Sequence, residues 1–118
     1  MAGRDNFKKG YMELLILHLL LENDFYGYQL SQLVKERSNG ILIVPEGTMY
    51  PTLYRLTEKG YISDYKKQVG KRLIRVYYHL EPEGKAYLAD LLDDYYRVNE
   101  AIQLLLNFHD HEGEDSNE

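Results

Sequence analysis

The 118-residue sequence has no cysteine and no tryptophan, and only three prolines and three phenylalanines. Without cysteine no disulfide staples the fold and no thiolate serves as zinc ligand or nucleophile, so stability has to come from packing. The four histidines, His18, His79, His109 and His111, do not fill that gap. His109 and His111 stand two apart, which places them on different faces of a helix, and His18 interrupts an apolar run, where a satisfied core histidine is expected rather than a metal ligand. No apolar run approaches the roughly 18 residues of a membrane span, and the start lacks the small-residue cleavage site of a signal peptide. A cytoplasmic protein with no membrane partner is expected. Equally absent are a phosphate-cradling glycine loop, a nucleophile elbow and paired carboxylates in an apolar setting. These absences predict no enzyme: no catalytic residue, no metal and no cofactor.

What the chain does have is 44% hydrophobic residues, enough for one core, together with 12 tyrosines and a formal net charge of −5 that is unevenly spread. Residues 1–80 carry 12 Lys+Arg against 8 Asp+Glu, a balance of +4, whereas residues 81–118 carry 2 against 11, a balance of −9. Between Lys59 and Arg75 six basic residues face a single acid, Asp64. A local field of that sign attracts phosphate even on an acidic protein, because screening confines the distant acids to about a Debye length.

Along the chain, positions 11–21 are almost wholly apolar and predict a helix buried on more than one side. Asn23 and Asp24 are expected to end it and cap a second helix from about Tyr26 to Arg37, with Leu30, Leu33 and Val34 inward, stopped by Ser38, Asn39 and Gly40. Ile41 to Val44 reads as a short strand pairing with a later hairpin. A third helix is predicted from about Pro45 to Lys59, with Met49, Leu53 and Leu56 inward and Gly60 as its left-handed C′ residue. Pro51 bends its first turns if it begins near Pro45, the version favoured here, and is harmless if it begins nearer Thr48. A hairpin follows, turning at Gln68 to Lys71, in which Ile74, Val76, Tyr78 and Leu80 alternate inward. Pro82 opens the last helix, where Leu88, Leu91, Tyr95, Val98, Ile102 and Leu105 are spaced 3, 4, 3, 4 and 3, a coiled-coil seam. From about His109 the composition predicts a disordered acidic tail.

A helix sized for a major groove followed at once by a basic hairpin outlines a winged helix-turn-helix, a mainly α (α+β) fold with a two- to three-stranded wing sheet and a long C-terminal helix. The predicted organisation is a DNA-binding unit over 1–80, a dimerisation helix over 81–109 and a tail over 110–118. Glu46, Thr48, Tyr50, Thr52 and Arg55 form the expected open face of the reading helix, able to reach base edges or phosphates. Lys66, Lys67, Lys71 and Arg72 are expected at the wing tip, along an adjacent phosphate strand or minor groove. An ordinary wet helix face and an ordinary basic hairpin are each common; their conjunction points to double-stranded DNA. Tyr28 completes the set from the second helix.

The segments DFYGYQLSQLVKE, EGTMYPTLYRLTEKGYI and KRLIRVYYHLEPEGKAYLADL resemble the PadR family of bacterial transcriptional regulators over about residues 7–109. Gly27–Tyr28, Gly47–Thr48–Met49–Tyr50–Pro51, Arg55–Leu56, Gly60 and Tyr77–Tyr78 with Leu80 stand where that pattern has them, and the single C-terminal helix is similar to the short subfamily, which includes regulators of multidrug efflux genes. The resemblance implies a homodimeric repressor on a pseudo-palindromic operator, with Gln29, Gly47 and Pro51 joining the DNA-facing residues. It also implies dimerisation through the last helix, with Leu88, Leu91, Leu92, Tyr95, Tyr96, Val98, Ile102 and Leu105 at the interface. Some members hold a ligand at the dimer centre; where they carry an indole this chain has Tyr95. Phenol rings beside Asp93, Asp94 and Glu100 suit a small, planar aromatic or cationic effector, while the bland alternative is that they only fill the interface. A winged helix used for protein–protein contact without specific DNA binding is the competing class, and it has no need of the charge split.

Overall fold

The computed structural model describes residues 2–109, with side chains from residue 10 onward; the predicted tail over 110–118 lies outside the described residues. The element order is α1 (Ala2–Glu22), β1 (Phe25–Tyr26), α2 (Gly27–Arg37), α3 (Glu46–Glu58), β2 (Ile62–Val69), β3 (Leu73–Leu80) and α4 (Pro82–Leu106). The three strands form one antiparallel sheet in the order β1-β3-β2. This is the winged helix-turn-helix architecture, mainly α with a wing sheet.

Ile16 and Leu17 of α1, Leu30 of α2, Met49, Leu53 and Leu56 of α3, Ile62 of β2 and Leu88 of α4 are fully buried and meet in one core. Each such side chain contributes about 1.5–3 kcal/mol on leaving water, which is what fixes four helices and a small sheet around a single centre. The α1 helix is buried on several sides, as its continuous apolar run predicts, but His18 is exposed rather than part of the core.

Several local expectations give way to tertiary contacts. The third strand is Phe25–Tyr26, paired with Tyr78 and Tyr77, and not Ile41–Val44, which forms no strand; of that run only Val44 is buried. Asn23 and Asp24 do not cap α2, whose N-cap is Tyr26. Instead the Asn23 side chain accepts the Asp24 amide, and the Asp24 carboxylate accepts the Tyr65 hydroxyl at 2.7 Å and meets His79 Nδ1 at 2.7 Å. In β3 only Tyr78 and Leu80 reach the core; Ile74 and Val76 share their face but lie beyond its edge and are exposed.

The turns follow their residue types. Gly60 (φ +78°) ends α3 and Gly70 (φ +73°) opens the hairpin loop, both in the left-handed region that glycine enters without strain. Pro45 is the N-cap of α3, its carbonyl accepting the amides of Thr48 at 3.0 Å and Met49 at 2.9 Å. The helix thus runs through Pro51, and the bond that proline cannot make is the one to the Gly47 carbonyl.

Candidate nucleic-acid interface

The open side of α3 is built by its burial pattern. Met49, Thr52, Leu53 and Leu56 are turned into the core, so Gly47, Tyr50, Pro51, Tyr54, Arg55 and Glu58 are left to solvent along one flank. Thr52 therefore departs from expectation: it is completely buried, its hydroxyl donating to the Thr48 carbonyl at 2.8 Å and accepting from Arg55 Nη2 at 3.2 Å. It orients the guanidinium from within and presents nothing to a groove. Thr48 is half-buried, and Glu46 and Arg55 are exposed as expected.

Tyr54 is a residue that sequence reasoning misses, and it is the most exposed large hydrophobic side chain on the helix, at 65%. It stands four residues after Tyr50, the spacing that places two side chains one above the other. That interval is the available signal.

Tyr50 is held in place by a residue with no side chain. A Cβ on Gly27 would lie 2.7 Å from the Tyr50 hydroxyl and 2.8 Å from its ring, so the start of α2 and the phenol of α3 pack directly together. Beside them a groove of about 490 Å³ is lined by Tyr26, Gly27, Tyr28, Tyr50, Leu73, Arg75, Val76 and Tyr78. Because β1 spans only two residues and pairs with Tyr77 and Tyr78, this groove runs along the unpaired edge of β3. It unites Tyr28, Tyr50 and Arg75; the last is not among the expected contacts. The Arg75 guanidinium lies 4.3 Å from the Tyr26 ring centroid, a cation–π contact that holds it at the groove wall. Burial, then the neighbouring Asp64 and Tyr50, push the Tyr78 phenol above its ordinary range, so this tyrosine stays a neutral floor.

Gln29 serves the fold itself, since its side-chain oxygen accepts the Tyr26 amide at 3.4 Å and closes the first turn of α2. In the wing, Lys71 and Arg72 occupy the turn and are exposed, but Lys66 and Lys67 are not at the tip. They sit within β2 opposite Val76 and Arg75, and successive strand residues point to opposite faces. Lys66 shares the face of Ile62, Tyr78 and Leu80, the side of the core; Lys67 is on the outer face, 5.3 Å from the Tyr77 ring centroid. That outer face is a tyrosine row, with Tyr65 stacked on Tyr77 at 5.7 Å and Tyr26 edge-on to Tyr77 at 5.5 Å. None of the hairpin lysines and arginines forms an ion pair among the described residues.

The seam residues divide. Leu88 belongs to the core of its own chain, a departure from the expectation that it waits for a partner. Leu91, Leu92 and Tyr95 are half-buried against α1, while Tyr96, Val98, Ile102 and Leu105 are exposed. Tyr95 meets Tyr11 edge-on at 5.7 Å and Tyr96 at 5.3 Å. This ridge separates two grooves, one of about 270 Å³ walled by Tyr11, Leu14, Leu91, Asp94 and Val98, the other of about 400 Å³ walled by Leu15, His18, Leu42, Leu92 and Tyr96. Among the described residues no group of three or more potential metal ligands gathers, and no helix is long and apolar enough to cross a membrane.

Residues 16–90 match the model of the transcriptional regulator PadR-like family. A protein of Lysinibacillus sphaericus is 36% identical over 103 residues, 87% of this chain and 94% of that protein. A transcriptional regulator of Mycobacterium tuberculosis is 36% identical over 84 residues, 71% of this chain and 75% of that one. Among solved structures, a transcriptional regulator from Clostridium thermocellum superposes with a TM-score of 0.77 at 31% identity, covering 83% of this chain and 95% of the other. The PadR protein of Bacillus subtilis, solved in complex with operator DNA, superposes with a TM-score of 0.64 at 29% identity over 70% of this chain and 46% of that one.

Proposed function

Because the chain belongs to the PadR-like family of transcriptional regulators and is not an enzyme, we propose that it is a homodimeric, sequence-specific DNA-binding repressor. In this reading residues 1–80 form the DNA-binding unit and residues 81–109 dimerise it. The carrying observation is that α3 leaves Tyr50, Tyr54 and Arg55 on an open flank, that Tyr50 lines one groove with Tyr28 and Arg75, and that the hairpin ends in the exposed Lys71–Arg72 turn. In this reading the open flank of α3 enters a major groove while the basic turn follows the neighbouring phosphates. The operator complex of the Bacillus subtilis relative supports DNA as the partner. Apolar residues exposed along the distal half of α4 supply the surface for a second copy, and a two-fold dimer reads a pseudo-palindrome with half-site centres about one helical turn, or roughly 34 Å, apart. Occupying such an operator represses by exclusion.

Fluorescence anisotropy on the operator tests this directly. A dimer contacting about six to ten phosphates gives a log–log salt slope of roughly −5 to −9, and footprinting shows two half-sites. A flat salt response, or protection of one isolated half-site, refutes it; loss of all DNA binding with capture of a protein partner favours the winged helix as a protein-docking module.

The grooves flanking Tyr95 support ligand control. Both are walled mainly by apolar and aromatic side chains; the one beside Val98 adds the Asp94 carboxylate, which suits a planar hydrophobic cation and disfavours an anion, and the other adds His18. Such an effector relieves repression only by binding better to a dimer whose reading helices are wrongly spaced for DNA, since equal affinity for both states shifts nothing. Planar cationic dyes titrated against the operator complex should release it from the parent and not from Tyr95→Ala; equal release from both removes the groove as the switch.

A further inference from the structure

Tyr61 is the first residue after the glycine that ends α3, and four contacts meet on it. Its amide donates to the Leu56 carbonyl at 3.0 Å, which is the last turn of the reading helix. Its carbonyl accepts the Glu81 amide, the N-cap of α4, also at 3.0 Å. Gly84 of α4 lies so close that a Cβ there would be 2.0 Å from the same carbonyl. Its ring stacks on Tyr87 of α4, with centroids 4.3 Å apart and planes 10° from parallel. The Tyr87 hydroxyl in turn donates to the Glu13 carboxylate on α1. Burial first, then that bond, push the Tyr87 phenol far above its ordinary value, so it remains a donor at any physiological pH.

A single residue thus bolts the end of the reading helix to the start of the last helix, and the next link fastens that helix to α1. We propose that the Tyr61–Tyr87–Glu13 cluster is the joint that sets the angle between α3 and α4, and that Tyr87 is a positioning residue for operator spacing. The inference rests on the dimeric reading above: if α4 joins two copies, its angle to α3 fixes the distance between their reading helices. The joint also has a lever. Tyr95 lies eight residues beyond Tyr87, about 12 Å along the helix, where it meets Tyr11, two residues before Glu13. Whatever separates α1 from α4 at that ridge pulls on the Tyr87–Glu13 bond, and rigid packed elements transmit such a shift rather than absorbing it.

The experiment measures affinity on a series of operators whose half-site spacing is changed by one and two base pairs, for the parent, Tyr87→Phe, Glu13→Ala and Glu13→Gln, with light scattering and thermal unfolding alongside. The parent should lose about tenfold in affinity per base pair off its optimum, since the DNA must deform to meet a rigid dimer. Tyr87→Phe keeps the ring stack and loses the hydroxyl; it should remain a folded dimer while its penalty falls to about threefold, a joint of lower stiffness. Glu13→Ala breaks the same bond from the α1 side and should do likewise, so the test stands even if one variant folds poorly. Glu13→Gln keeps an acceptor and should restore the parent's spacing profile. If Tyr87→Phe and Glu13→Ala weaken every operator equally and keep the parent's profile, their role is structural only and the inference falls while the dimeric reading stands. A parent indifferent to spacing takes down both.

Discussion

The two halves of α4 carry the same apolar spacing in opposite surroundings. From Pro82 to Leu92 the helix is closed in: Gly84 abuts the Tyr61 carbonyl, Leu88 is 2% exposed, and Leu91 and Leu92 lean on α1. From Tyr96 to Leu106 the same periodicity is open, with Val98 54%, Ile102 39% and Leu105 76% exposed. A repeat of threes and fours says that a helix face is apolar; it does not say which molecule covers it. The proximal half stabilises the fold of its own chain, and the distal half is free to serve association.

The sharpest test substitutes one charge into each half. Leu88→Asp places an unpaired carboxylate in the core and should cost at least about 3–5 kcal/mol, enough to unfold most of the chain by circular dichroism. Ile102→Asp should leave the melting profile of the domain intact while light scattering reports a monomer without operator affinity. If Ile102→Asp unfolds the chain, or Leu88→Asp merely dissociates it, the division of α4 is wrong.

Glycines sharpen the contrast at smaller scale. Gly84→Ala must displace backbone, since the new methyl would overlap the Tyr61 carbonyl, and urea unfolding should give a loss of about 1–3 kcal/mol. At Gly47, where a Cβ meets nothing within 4 Å, the same change should be neutral or stabilising by up to about 1 kcal/mol. Closed and open faces recur on α3. Thr52→Val should cost about 1 kcal/mol in stability through its lost hydrogen bonds, whereas Tyr54→Ala should leave stability unchanged and weaken operator binding in the anisotropy assay.

The smallest effect is in acid. Burial alone would raise the Asp24 carboxyl, but hydrogen bonds from Tyr65 and His79 outweigh it and hold the group below its ordinary value. A carboxyl depressed in the folded state contributes stability that is fully present above its unfolded value, about pH 4, and is lost as pH falls through the folded one. Asp24→Asn should flatten that part of the stability curve.

Local chemistry is legible in the sequence where one residue decides it. The left-handed glycines at 60 and 70, the proline opening α4, the inward stripe of α3 and the basic turn at Lys71 and Arg72 all stand as their residue types imply. What escapes depends on contacts between distant segments. The Ile41–Val44 run is rich in β-branched residues, yet β3 pairs with Phe25–Tyr26, and no propensity reports which neighbour arrives at an edge. A hydroxyl suits water, which argues for Thr52 outside; the Thr48 carbonyl satisfies it within the core. Lys66 and Lys67 look like one basic patch in the sequence, and the pleat of a strand separates them.

The tyrosine pairs give the molecule a built-in optical readout. Tyr61 and Tyr87 stack at the joint while Tyr11 and Tyr95 meet edge-on at the ridge between the two grooves, and no indole absorbs or emits over them. Near-ultraviolet circular dichroism senses fixed aromatic packing and not secondary structure. In this chain that whole band is tyrosine and phenylalanine, so a rearrangement between α1 and α4 should register there without a label, while the far-ultraviolet spectrum, set by the helices themselves, stays still.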